Sequence, residues 1–176
     1  MKKWLVAGLA VLCVSAVATR ITLANGGHDS KAALRAKLLG AYVVPPNNTE
    51  ATGTFKARVQ HDGTITFEVT YENLSGGLTQ ANIRFAQVNV NSNQAMIWLC
   101  GGTTQPPCPT AMSGSFEGTI TPEDVAGPAS QGINPGDLAA ALRVIKDGEG
   151  YVNLQTTRFA GGEIRGQING RNDNDQ

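Results

Sequence analysis

The sequence predicts an all-β fold, a two-sheet sandwich or closed barrel with one or two short helices in its loops. Three observations point there. Short runs alternate apolar and polar side chains, the period of a half-buried strand. Glycine occurs 21 times, often where one such run stops and the next begins, and glycine turns between short strands are the punctuation of sandwiches and barrels. The chain is 176 residues long, enough for one domain with a sizeable core but not comfortably for two.

Met1 to Ala18 reads as an export signal. Lys2 and Lys3 precede an apolar run from Trp4 to Val14, and Ala16-Val17-Ala18 is a small-x-small cleavage site, with a second option ending at Ala24. The run is shorter than the roughly 20 residues a membrane-crossing helix needs, so cleavage with no stable span afterwards is expected. Leu12 before Cys13 is not the small residue a lipid-attachment site requires. The short lysine-led signal is bacterial in type and places the chain in the periplasm or outside the cell. Losing Lys2 and Lys3 leaves 12 basic and 14 acidic side chains, a net charge of −2. No basic footprint invites nucleic acid. Residues 19–32, containing His28, read as a flexible leader, 33–170 as the domain, and 171–176 as a disordered tail.

The first strand starts at Leu34, where Leu34, Ala36 and Leu38 alternate with Arg35 and Lys37, and is expected to run into Tyr42-Val43-Val44. Pro45-Pro46 ends it, because proline has no ladder donor. Phe55, Ala57 and Val59 alternate with Lys56, Arg58 and Gln60. After His61-Asp62-Gly63 the pattern resumes at Ile65, Phe67, Val69 and Tyr71, and Asp-Gly between alternating runs predicts a hairpin. Asn73-Leu74-Ser75-Gly76-Gly77 makes the next turn. Ala81 to Val90 and Ala95 to Cys100 read as two further strands, and Ser113 to Ile120 as another. Asn47 and Asn73 each begin an N-glycosylation sequon, a motif that often arises by chance.

Thr121-Pro122-Glu123-Asp124 combines an N-cap, a proline at the first position and early acids, the start of a short helix. Leu138, Leu142 and Ile145 recur at helical spacing after Pro135-Gly136-Asp137 and predict a second one. Cys100 and Cys108 flank Gly101 to Pro107. In an oxidising compartment they are expected to close that loop as a disulfide, since seven intervening residues and no nearby histidine disfavour a redox or metal pair.

The most specific stretch is Tyr151 to Asn169, YVNLQTTRFAGGEIRGQIN. Val152 and Leu154 alternate with polar residues, Gly161-Gly162 permits a turn or bulge, and a second alternating strand starts at Glu163. FAGGEIRGQI after YVNLQT resembles the C-terminal signature of the chordin-type (CHRD) domain. LLGAYVVPP followed by ATGTF resembles that domain's opening, and YENLSGGLTQANIRFA resembles its middle. The resemblance spans roughly Leu34 to Asn169 and implies a Greek-key sandwich similar to Cu/Zn superoxide dismutase.

In family members that carry a histidine-isoleucine-histidine triplet, two imidazoles one residue apart on a strand can grip a metal. The resemblance sets Asn82-Ile83-Arg84 at that triplet and Gln155 at a further histidine position. Amides and a guanidinium do not replace imidazole as ligands, so no metal and no other cofactor is expected. Asn82, Arg84 and Gln155 then form either a candidate binding patch, able to hold a carboxylate, a sulfate or a sugar, or an internal polar network. Glu163 and Arg165 place an acid beside a cation. With no nucleophile or second acid in the motif, they read as a structural ion pair after Gly161 and Gly162. No catalytic residue is assigned, because no Ser/His/Asp order, metal-protease motif or phosphate loop occurs.

The expected protein is thus a secreted, non-enzymatic binding or scaffolding module for an unidentified extracellular ligand or protein. The alternatives are a copper- or zinc-dependent redox enzyme and a self-associating surface or matrix component, a homo-oligomer built through exposed sheet edges.

Overall fold

The computed structural model describes residues 33–171. The expected signal, the leader with His28, and the tail after Arg171 lie outside the described residues. Among the described residues nine strands form one antiparallel sheet: β1 Ala33–Leu39, β2 Thr52–Val59, β3 Ile65–Glu72, β4 Leu78–Phe85, β5 Ile97–Cys100, β6 Gly114–Ile120, β7 Gly150–Thr156, β8 Ile164–Gln167 and β9 Asn169–Arg171. Among the described residues one α-helix, α1, spans Leu138–Lys146.

Hydrogen-bonded neighbours run β5-β4-β7-β8-β1-β2-β3-β6, with β9 continuing the line of β8 along β1. The two ends of that order approach each other, since Ile97 in β5 bridges to Val125 just past β6. The result is a nearly closed barrel. The β3 to β4 and β6 to β7 connections each leap two strands, which gives the barrel its Greek-key topology. The all-β expectation with short helical insertions therefore holds.

The hairpin around Asp62-Gly63 forms as its sequence dictates. Gly63 takes a φ of 85°, the Asp62 carboxylate accepts the Thr64 backbone N–H at 3.0 Å, and Val59 pairs with Ile65. Phe55 and Phe67 stack inside at 6.4 Å between ring centroids, and Phe116 sits edge-on to Phe67 at 6.1 Å. Outside, Lys56 and Glu68 pair across the strands at 3.6 Å. Leu38, Val69, Ile83, Val152, Leu154 and Ile164 fill the interior from the other strands.

Three expected boundaries move. β1 does not run into Tyr42-Val43-Val44: it stops at Leu39, and Gly40–Tyr42 forms a 3-10 turn. The Gly40 carbonyl accepts N–H bonds from both Val43 and Asn47, so the chain folds back rather than continuing the ladder. The strand expected over Ala81 to Val90 ends at Phe85, because the carbonyls beyond it are claimed by side chains of other strands. The helix expected at Thr121 is a 3-10 turn, Pro122–Asp124. Its Asp124 carboxylate accepts from the Thr121 N–H at 2.8 Å and the Thr121 hydroxyl at 3.0 Å. The second helix forms where its spacing predicts, with the Asp137 side chain capping the Ala140 N–H at 2.8 Å.

Cys100 and Cys108 form a disulfide. Replacing both by serine is expected to lower the unfolding free energy by about 2.5 kcal/mol through the lost loop constraint. A urea melt of the variant beside the parent measures it.

Candidate functional site

Alternate residues of a barrel strand leave the core, and on β4, β7 and β8 those residues are polar. β4 offers Asn82 and Arg84, β7 offers Tyr151, Asn153 and Gln155, and β8 offers Arg165 and Gln167. Register sets Asn82 beside Asn153 and Arg84 beside Tyr151 on one side, then Asn153 beside Arg165 and Tyr151 beside Gln167 on the other. All except Gln167 are buried. Residues 86–94 fold back over Arg84, Tyr151 and Arg165, and the turn at residues 160–161 takes the amides of Asn153 and Gln155.

The cover is held by donors aimed at its carbonyls. Arg84 donates to the Ser92 carbonyl at 2.7 Å. Arg165 donates to Val90 at 2.8 Å and Gln87 at 3.2 Å. Gln167 donates to Ala86 at 2.9 Å and to the Gly148 carbonyl at 2.8 Å. The Tyr151 hydroxyl donates to the Asn91 side chain at 3.1 Å and accepts the Ser92 N–H at 3.0 Å. These bonds explain why β4 ends early: a strand continuing past Phe85 would take the Ser92, Val90 and Gln87 carbonyls away from two buried guanidinium groups.

Asn82, Arg84 and Gln155 are brought together as one chain of hydrogen bonds. Arg84 Nε donates to Asn82 Oδ1 at 2.8 Å, Asn82 Nδ2 approaches Gln155 Oε1 at 3.5 Å, and Gln155 Nε2 donates to the Ala160 carbonyl. Asn153 extends the layer by donating to Gly161 at 3.1 Å. Each polar group faces inward to another part of the protein. This donor set does not fit a copper or zinc centre: its amides and guanidinium are committed to one another, and a fixed cation opposes metal binding. Among the described residues no group of three or more His, Cys, Asp and Glu side chains could hold a metal.

The expected ion pair between Glu163 and Arg165 does not form. Gly162, at φ 142°, redirects the backbone, and Glu163 stands just before the β7–β8 ladder, which begins at Ile164. Its buried carboxylate accepts from the Thr49 hydroxyl at 2.7 Å, the Ser75 N–H at 2.8 Å and the Thr156 hydroxyl at 2.7 Å. Burial pushes this carboxyl up, but those bonds outweigh burial and hold it below the ordinary carboxylate value. Asn47 joins the same hub by donating to the Glu163 carbonyl at 3.0 Å, so the first sequon's amide is engaged inside the fold.

Arg165 stacks its guanidinium on the Tyr151 ring at 3.5 Å from the centroid. Burial draws it below the ordinary arginine value; Tyr151 opposes that shift and nearby Arg84 adds to it. Among the described residues neither arginine has a carboxylate within ion-pair distance. Sequence reasoning did not assign Tyr151 or Gln167 a role, although both lie on the same alternating face as residues it singled out. The role of residues 86–94 as cover left no local signal.

A search of curated proteins finds no match, and neither does a search of solved structures. The family described as CHRD domain matches residues 34–168, the span that carries the polar layer, the Glu163 hub and the strands positioning both. The chain belongs to the CHRD domain family.

Proposed function

We propose that this protein is an exported, non-enzymatic module that binds or scaffolds extracellular material. The observation that carries the reading is the closed network of Asn82, Arg84 and Gln155. Where the family resemblance sets metal-gripping histidines, this chain has buried side chains bonded to each other and to the cover. Such a network rigidifies a barrel and offers no open coordination position. The Cys100–Cys108 bond fits an oxidising compartment, and no helix among the described residues is long and apolar enough to cross a membrane.

The competing reading is a copper- or zinc-dependent redox enzyme. Calorimetric titration of purified protein with each ion, alongside a superoxide-consumption assay, separates the two. The expected outcome is no stoichiometric binding and no activity above buffer. Uptake of one tightly bound copper or zinc per chain would overturn the module reading.

A further inference from the structure

A cavity of about 270 Å³ opens where β1, β8 and β9 meet residues 88 and 89 of the cover. Strand register builds it. Leu39 pairs with Arg165 and Arg35 with Asn169, which sets Lys37 across from Gln167. The lining includes the cations Lys37 and Arg165, the amides of Gln167 and Asn169, the apolar side chains of Tyr42 and Val88, and no carboxylate.

Two features of this lining point to a ligand. Arg165 is 2% exposed, yet it borders the cavity, and among the described residues no carboxylate neutralises it. Carbonyls take part of its hydrogen-bonding capacity and Tyr151 covers one face, but neither supplies a negative charge. A buried cation without a counter-ion is costly, and an incoming anion removes part of that cost. The second feature is apolar. Tyr42 and Val88 are 48% and 62% exposed, which keeps hydrophobic surface in water directly beside the charges.

We propose that this cavity binds a small organic carboxylate, its acid group between Lys37 and Arg165 and its apolar or planar body against Tyr42 and Val88. Asn169 adds an amide donor at the acid end, while Gln167, whose two N–H bonds go to the Ala86 and Gly148 carbonyls, walls that end. The volume lies just below the roughly 300 to 1,000 Å³ typical of small-molecule sites, so a ligand about one ring in size fits. The proposal names a ligand class for the binding module above and rests on that reading.

The test is a titration of purified protein followed by backbone amide NMR. Benzoate is the probe, benzamide its neutral isostere, and acetate the acid without a body. Benzoate is expected to shift the resonances of Tyr42, Val88, Gln167 and Asn169, and to bind more weakly as salt rises. Lys37→Gln is expected to weaken it roughly tenfold, as loss of one charge contact does. Val88→Asp places a like charge at the rim and should abolish binding. Both positions are exposed, and an unchanged melting temperature verifies that each variant folds. Equal shifts from benzoate and benzamide, shifts confined to other surfaces, or an affinity that neither substitution alters would overturn the proposal. Failure here in a metal-free protein leaves the module reading standing. Copper uptake with intact benzoate binding does the reverse.

Discussion

Replacing Glu163 by alanine is expected to lower the melting temperature by roughly 10 °C. The carboxylate ties together three turns that never meet in sequence: the one before β2 through Thr49, the one before β4 through Ser75, and the one between β7 and β8 through Thr156. Its removal leaves those donors without their acceptor in a buried place. Each orphaned donor costs about 1 to 3 kcal/mol, partly relieved where water enters. A total near 4 kcal/mol follows, and a domain of this size loses about 2 to 4 °C per kcal/mol. Glu163→Gln keeps an acceptor but loses the charge assistance and should cost about half as much. Circular-dichroism melts measure both variants.

The same carboxylate sets a pH dependence of known sign. Its folded pKa lies below the ordinary value of 4.5, so the folded state favours the ionised form. The stability it contributes is fully present above about pH 4.5 and is lost as the pH falls through the folded pKa. In the parent protein the melting temperature should therefore drop on acidification below that point. In Glu163→Gln this part of the drop should be missing. Parallel slopes for the two proteins between pH 3 and 5 would show that the carboxylate does not control the acid limb.

Gly166→Ala is expected to be comparably severe, by about 3 to 5 kcal/mol, for a reason of space. A Cβ at this position would meet the Lys37 carbonyl oxygen and come within 2.8 Å of Leu38 Cδ2. Both belong to β1, which β8 must approach to close the barrel, and a backbone carbonyl cannot step aside as the tip of a flexible side chain can. The expected result is a strongly destabilised protein, with hydrogen exchange accelerated first along the β1–β8 seam. Gly161→Ala is the internal control, because a Cβ there meets nothing within 4 Å. It should melt close to the parent. Equal loss from both would mean that the close approach of β1 is not what sets the cost at Gly166.

The two glycine positions show how the family signature works. In GGEIRGQ, Gly162 turns the backbone, Glu163 gathers the turns and Ile164 enters the core. Arg165 holds the cover, Gly166 admits β1, and Gln167 bonds the carbonyls of Ala86, just past β4, and Gly148, just before β7. The glycines, the acid and the core isoleucine can be suspected from their types and spacing. Their partners cannot, since Thr49 and Ser75 lie 114 and 88 residues away from Glu163.

Alternation alone located the strands, though not the ends of β1 and β4, because the choice of which side chains face the core is made residue by residue along a local backbone. It made the β2–β3 hairpin, the inward run of β7 and the all-β class readable directly. The capped helix at Leu138 and the Cys100–Cys108 loop were equally local. What only the tertiary structure decided is where the buried charges find their partners. The expected Glu163–Arg165 pair gave way to a three-turn hub and an arginine stacked on Tyr151, and the strand expected to reach Val90 became a cover. A buried charge takes whichever donors or carbonyls the sheet order brings within about 3 Å, and that order joins segments far apart in the chain.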